Sequence, residues 1–556
     1  MLLVAVAAAC LASTPVIAAP PEPGHLVISG GPVLAPEGDR WLLGRAVLVV
    51  AGRVTAIVAV ETVPLNPDVP HLDLAGAYLV PGLIDLHTHL LLHPYDEASW
   101  EHQVLKESLG LRTARAVAAA KATLEAGFTT IRELGTEGAG YADVGLRDAI
   151  AAGIVPGPGI LAATRALVAS GAYGPSGFDP RWSIPKGAEV ADGPDGMRAA
   201  VRRQIAAGAD WIKVYADYRR RAGDPATPTF TLAELKAAVD EAHSAGLSVS
   251  AHATTDQAAR RAVEAGVRTI EHGTGLSDET FALMRQHGVA LCPTLATSEA
   301  MARYGGWQQG TPPPAQLQQS MDMFRRALAA GVTIACGSDA GVFAHGLNAR
   351  EIELMVDGGM SSAEALRSAT ATAADVIGRG DDLGRVAPGY VADLVAVAAD
   401  PLRDISALRE PVLVIQAGRI VVDRRSTPDH DTRQEVLAVC TRMLDLLGDR
   451  RFDDLAEMFV PGALVAFDRQ TVDRQGAVTI EQFLQDARDQ ADPQPQFREW
   501  LTGEATVLVD GAIAVVWAPF IVEVGSIRAA GTDVFKLVKL DGRWRISGLS
   551  YTNRPL

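Results

Sequence analysis

Between residues 81 and 384, eight short apolar runs of β character alternate with segments of helical period, a pattern that restricts the chain to repeated βα units on a parallel sheet. The runs are YLVPGLIDL, FTTIREL, GILAAT, WIKVY, LSVSAHA, VRTIEHG, VALCPTL and VTIACGSD. Helical segments such as TLAELKAAVDEAHSAG and SDETFALMRQHG stand between them. Eight units in roughly 300 residues predict a closed (β/α)8 TIM barrel, so the fold class is α/β.

The flanks carry a different pattern. From His25 to about Leu79, short β runs alternate with turns, in HLVISGG, RAVLVVAGRVTAIVAV and HLDLAGAYLV. The pattern returns in GRVAPGYVADLVAVAADP and EPVLVIQAGRIVVD. A composite β-sandwich built from residues 20–80 and 385–425, split by the barrel at 81–384, accounts for both. The polar, Pro-containing stretch RRSTPDHDTR follows, and 426–434 is read as a linker. Residues 435–556 open with the amphipathic segment EVLAVCTRMLDLLGDRRFDDLAEMF and continue with long β runs, which predicts an α+β cone.

A formal charge of -16 excludes a nucleic-acid partner, because phosphate binding needs a basic stripe and the chain has none. The opening MLLVAVAAACLASTPVIAAP is an apolar run ending in small residues, as in a secretory signal peptide over 1–19. An exported protein, periplasmic or secreted, is the expectation. No later run has the length of about 20 apolar residues that a transmembrane segment needs. Setting Cys10 aside, Cys292, Cys336 and Cys440 are too sparse for a disulfide framework, and the first two lie in apolar runs as buried thiols.

The ends of the barrel strands carry the chemistry. His87 and His89 close the first run as H-T-H, and alternate residues of a strand share a face, so both imidazoles point the same way. Two neutral imidazoles supply half a zinc site. Lys213 ends the fourth run, His252 the fifth, His272 the sixth and Asp339 the eighth. Active groups of such barrels gather at this C-terminal face. A lone His or Asp at a strand end is more often structural; the ordered set is what points to a metal.

These pieces, VPGLIDLHTH, IKVY, AHATT, IEHG and GSDAG, together with GRVAPGYVADLVAV, resemble the amidohydrolase superfamily, particularly its imidazolonepropionase-like and Xaa-Pro dipeptidase-like branch. The resemblance spans His25 to Asp423. It implies a zinc centre of one or two ions held by His87, His89, His252, His272 and Asp339, with an N6-carboxylated Lys213 bridging two. Carboxylation matters because an ammonium has three donors and no acceptor, whereas a carbamate is an anionic two-oxygen ligand. An unmodified Lys213 beside a single metal stays open. By the same resemblance, metal-activated hydroxide cleaves an amide C–N bond of a small carboxylate-bearing substrate, a dipeptide or N-acyl amino acid. Asp339 carries the proton from attacking water to leaving amine.

Substrate contacts are expected from loops after the strands. Tyr173 stands about where dipeptidase-like relatives carry Gly-Gly-His; its phenol can hydrogen-bond a carboxylate or oxyanion. Tyr215 and Tyr218 follow Lys213, with Arg219, Arg220 and Arg221 as a basic run beside them, and His345 follows Asp339. His93, His102, His243 and His287 read as structural. The last domain, through DVFKLVKLDGRWRISGLSYT, resembles the NTF2-like or SnoaL-like superfamily, an accessory unit suited to homo-oligomerisation. Two other readings stand beside the first: a mononuclear hydrolase or deaminase acting on a cyclic C–N bond, and an inactive ligand-binding protein.

Overall fold

The apolar runs of the barrel region pair with one another in chain order. Leu83–Thr88 lies parallel to Phe128–Glu133, and that strand to Gly159–Ala162. The chain runs on from there to Leu167–Val168, which pairs with Trp211–Tyr215. Ser248–Thr255, Thr269–Gly275 and Ala290–Cys292 follow in parallel. Single parallel bridges, Leu291 to Ile334 and Thr88 to Ala340, bring the ladder back to the first strand as a ring. This computed structural model describes residues 25–63, 69–179, 181–221, 223–425, 430–469, 474–489, 497–502, 505–524 and 527–555. The apolar leader expected over 1–19 lies outside the described residues.

The strands Leu83–Thr88, Phe128–Glu133 and Trp211–Tyr215 are buried along their whole length. Helices cover the outside of such a sheet and side chains fill its inside, which is why these segments read as continuous apolar runs. The helices start and stop on local signals. Thr231 and Glu234 close a capping box at the start of Leu232–Ser244. Ser277 caps Asp278–His287, and Gly288, with φ 66°, ends it in the left-handed conformation that glycine adopts without steric cost.

Four segments differ from the sequence reading; the eighth run, VTIACGSD, makes only an isolated bridge at Ile334. VALCPTL is strand only over Ala290–Cys292; Thr294, with φ 51°, turns the chain into the helix Leu295–Tyr304. GILAAT is strand only over Gly159–Ala162, and a second short strand, Leu167–Val168, follows it, so the loop begins later. The first helix beyond the barrel region starts at His430, inside the stretch read as a linker, where its polar first turn had masked the helical period.

Segments from both ends of the first unit meet in one sheet. Leu394–Val397 pairs with Tyr78–Pro81 on one side and with Pro411–Gln416 on the other. A second, four-stranded sheet combines Arg53–Ala59, Arg45–Val50, Leu26–Ser29 and His71–Asp73. Ile28, Val47, Leu79, Leu394 and Leu413 form the apolar layer these strands share.

Asp393 lies at the edge of this layer, where its carboxylate accepts the Ala417 N–H at 2.7 Å. Burial raises its carboxyl to about 6, against the opposing pull of the Ala417 and Thr129 hydrogen bonds. Between an unfolded value of 3.8 and about 6 the folded chain holds a proton that the unfolded chain has lost, so this group's contribution to stability falls as pH rises through that window. At roughly 1.4 kcal/mol per pH unit the loss is about 3 kcal/mol. Asp393→Asn has no such titration. Its stability relative to wild type, from urea unfolding, should therefore rise between about pH 4 and about pH 7; a constant difference would contradict the assignment.

The second compact unit runs from Asp423 to Leu556. Its sheet has the order Arg474–Thr479, Phe459–Arg469, Arg543–Pro555, Ile527–Leu540, Ile513–Val524, Phe497–Leu501. Val436, Cys440, Met443 and Leu444 of the helix His430–Gly448 share a core with Val516, Phe535, Leu537 and Ile546 of that sheet. Among the described residues of the whole chain, no helix is long and apolar enough to cross a membrane.

Candidate metal centre

The strand ends place four imidazoles, a lysine and a carboxylate together. His87 and His89 leave the first strand with ring centroids 5.3 Å apart. His272 packs 5.1 Å from His87 and 4.6 Å from His252. One ligand atom each of His87, His272 and Asp339 lies within 4.8 Å of the other two. His89 joins through Asp339, whose Oδ1 is 3.3 Å from His89 Nε2 and 3.5 Å from His87 Nε2. Lys213, 1% exposed, comes from the fourth strand with its Nζ 5.6 Å from the Tyr215 ring centroid.

Two of these side chains reach the centre from left-handed backbone. Glu271 and His272 are adjacent, so an extended strand would send them to opposite faces. His272 has φ 69° and Asp339 has φ 62°, left-handed conformations that cost a non-glycine residue free energy. Thr294 and Glu137 beside them share this geometry, with φ 51° and 48°. Such strain persists only where surrounding contacts over-determine it, and here those contacts are evident. Asp85 accepts from the His87 N–H, the Ser338 N–H and hydroxyl, and the Asn348 amide, which pins the first strand to the segment carrying Asp339. Gly341 has φ 116°, and a Cβ there would come within 2.5 Å of the His89 carbonyl, so only glycine permits the close approach in GSDAG.

The hydrogen bonds behind the imidazoles suit metal ligation. His87 Nδ1 is 2.9 Å from Glu271 Oε2, His89 Nδ1 is 2.9 Å from the Gly135 carbonyl, and His272 Nδ1 is 2.7 Å from Thr294 Oγ1. Each ring thus has one nitrogen anchored and the other, Nε2, left for a ligand, the usual arrangement of metal-binding histidines. His252 differs, with its Nε2 3.5 Å from Asp217 Oδ1 and its ring stacked at 4.7 Å on Tyr215. Glu271 in turn is held by Arg132 at 2.9 Å and by the Thr269 hydroxyl. Three imidazole donors, a carboxylate, and a buried lysine with no hydrogen-bonded partner among the described residues fit a divalent cation of zinc type.

Electrostatics follows this crowding. Burial, and then the charge of Lys213, hold the His87 imidazole well below its ordinary value. Burial and His272 do the same to His252, and burial brings His272 to about 4 against the pull of Asp339. Burial thus favours the neutral form of these rings, the form that binds metals. His89 goes the other way: burial lowers it, but its hydrogen bond to Asp339 and that carboxylate's charge raise it to about 9. Burial works to raise the Asp339 carboxyl, yet His87 and His89 outweigh it and hold the group below the usual carboxylate range. Burial lowers Lys213 from its ordinary value, opposed by Glu271 and Asp339.

Tyr173, Tyr215 and Tyr218 form one aromatic cluster beside His252, with Tyr173 4.5 Å from Tyr215 and 4.9 Å from Tyr218. The hydroxyls of Tyr173 and Tyr215 both donate to Glu137. Arg219 lies 5.4 Å over the Tyr218 ring, and Arg219, Arg220 and Arg221 are exposed. His345 stands apart: its Nε2 is 3.1 Å from the Leu92 carbonyl, and its Nδ1 is buried with no hydrogen bond. His93 is held between Glu97 and Glu107, each at 2.9 Å. Cys292, Cys336 and Cys440 are buried free thiols.

Sequence reasoning missed Glu271, Arg132, Glu137 and Asp217. Glu271 had a signal, a carboxylate in the same IEHG that supplied His272. Arg132 in FTTIREL could have been flagged as a charge inside an apolar strand. Glu137 lies in a turn and Asp217 at the start of the short strand Asp217–Arg219, and the partners of both come from distant segments, so nothing local marks them.

Residues 78–421 match the amidohydrolase family and residues 429–550 the SnoaL-like domain, which is NTF2-like. The chain belongs to the amidohydrolase family, and the fold that goes with it is an α/β TIM barrel. Ochratoxinase of Aspergillus niger is 31% identical over 435 residues, covering 72% of this chain and 86% of that protein. Among solved structures, a Xaa-Pro dipeptidase with methionine bound in its active site is 30% identical, with a TM-score of 0.65 over 72% of this chain and 100% of the other. A prolidase complexed with N-methylphosphonate-L-proline is 31% identical, with a TM-score of 0.63 over the same shares.

Proposed function

We propose that this chain is a metal-dependent hydrolase that cleaves the amide bond of a small carboxylate-bearing substrate, a dipeptide or an N-acyl amino acid. The observation that carries this reading is the convergence of His87, His272 and Asp339 ligand atoms within 4.8 Å, with His89 on the same carboxylate. His87, His89, His252, His272, Asp339 and an N6-carboxylated Lys213 would hold two divalent ions. When bound, such ions acidify water and polarise a carbonyl. Asp339 accepts the proton of the attacking water and returns it to the leaving amine, so one carboxylate serves as base and then as acid. Glu271 and Arg132 fix the His87 ring, and Thr294 fixes that of His272. The names of the Xaa-Pro dipeptidase and prolidase relatives support a dipeptide-type amide substrate.

The test is a metal-reconstituted enzyme assayed against N-acyl amino acids, dipeptides, lactams and cyclic imides. Turnover of the first two classes is expected. Turnover confined to the cyclic compounds would select the second reading, a mononuclear hydrolase of cyclic C–N bonds. That reading draws on the same three-ligand cluster, which is enough for one ion, and on imidazolonepropionase of Symbiobacterium thermophilum, 25% identical over 439 residues.

A further inference from the structure

Glu137 follows the second barrel strand, and the surroundings of its carboxylate constrain what the substrate carries. The side chain is 2% exposed. Its oxygens accept from three neutral donors: Trp100 Nε1 at 2.8 Å, the Tyr173 hydroxyl, and the Tyr215 hydroxyl at 3.3 Å. A carboxylate offers about four lone-pair positions, and the Tyr215 contact is long, so acceptor capacity remains. Arg112 feels the charge of Glu137 but makes no ion pair with its carboxylate. Its guanidinium bonds the backbone carbonyls of Glu137, Leu91 and Thr136, and no ion pair reaches the Glu137 carboxylate among the described residues.

Arg112 and His89 balance this charge only at longer range, so a cation in direct contact with the carboxylate would still be favoured. The wall around the carboxylate is aromatic: Trp100 packs 5.1 Å from Tyr173, which also contacts Tyr215 and Tyr218. An anion set among aromatic faces is the combination that attracts an ammonium. The Tyr173 hydroxyl, moreover, donates closely to Glu137 and so presents no hydrogen to an incoming carboxylate. What this wall offers a substrate is the Glu137 acceptors beside the rings of Trp100, Tyr173 and Tyr218, the Tyr215 ring being stacked on His252.

We infer that Glu137, with the wall of Trp100, Tyr173 and Tyr218, binds a protonated amine of the substrate. Among small amides the chain then selects those with a free ammonium over their acylated counterparts. The inference rests on the hydrolase reading above and narrows it from N-acyl amino acids towards dipeptides.

The experiment compares a dipeptide with its N-acetyl derivative in the metal-reconstituted full chain and in Glu137→Gln, which keeps the shape but removes the charge. Wild type should favour the dipeptide by roughly tenfold or more in kcat/KM, through KM, and Glu137→Gln should bring the ratio near one with metal content unchanged. A wild-type ratio at or below one overturns the inference, as does a ratio that the variant leaves in place. Loss of metal in Glu137→Gln overturns it too, because the carboxylate would then serve the ions. If neither compound is hydrolysed, the hydrolase reading fails on its own, and calorimetric titration with butylamine and with butyrate decides the inference. Butylamine binding that is weakened about tenfold in Glu137→Gln supports it; no butylamine binding, or equal binding in the variant, overturns it.

Discussion

Asp339→Asn should lower kcat by about 10²- to 10⁴-fold, the range a positioned general acid–base group contributes, while the protein keeps most of its metal. The carboxamide preserves an oxygen at the position now 3.3 Å from His89 Nε2, so a ligand of nearly the same shape remains. What it loses is the ability to take a proton. Burial disfavours charge at this site, but His87 and His89 hold the Asp339 carboxyl below the usual carboxylate range, so it is ionised. Single-turnover rates alongside metal analysis separate the two roles. An undiminished rate would remove Asp339 from the chemistry; parallel loss of metal and rate would make it a ligand only.

Arg132→Met should destabilise the protein by about 3 to 5 kcal/mol, the cost of leaving one partner of a buried ion pair alone. Arg132 and Glu271 are both 0% exposed and meet at 2.9 Å. Arg132 also bonds the Leu86 carbonyl at 2.7 Å and lies 4.8 Å over the Trp211 ring, so it joins the first, second, fourth and sixth strands. Removing it strands the Glu271 charge and frees the His87 ring that Glu271 orients. Urea unfolding measures the loss, and a change below about 1 kcal/mol would contradict the account. Arg132→Met combined with Glu271→Gln should recover part of it, since the pair is coupled.

Much of this arrangement was legible in the sequence, for a physical reason. Strands buried on both faces must be apolar, so a charged or ligating residue at their ends stands out, and HTH, SAHA, EHG and GSD each did. The strand-period rule placed His87 and His89 on one face without any coordinates. The same rule could not foresee that His272 and Asp339 reach the centre through left-handed backbone, because φ is not written in residue type except at glycine. Nor could it find the buried chain from Arg132 through Glu271 to His87, which joins three strands far apart in sequence. The linker read over 426–434 overlaps the start of His430–Gly448, whose first turn is polar and has no apolar period to detect. Tyr173 lies in a loop after the third run, but the direction of its hydrogen bond, towards Glu137, depends on a residue that nothing local marks.

The proposed hydrolase depends on divalent metal at the ends of these strands. The most direct measurement is the metal-to-protein ratio after reconstitution with zinc and removal of the excess, in wild type and in a His87→Ala, His272→Ala double variant. The account predicts about two ions per wild-type chain, as for a bridged two-metal site, and no stoichiometric metal in the double variant. A correctly folded wild type that retains none, or a double variant that retains as much as wild type, would contradict it.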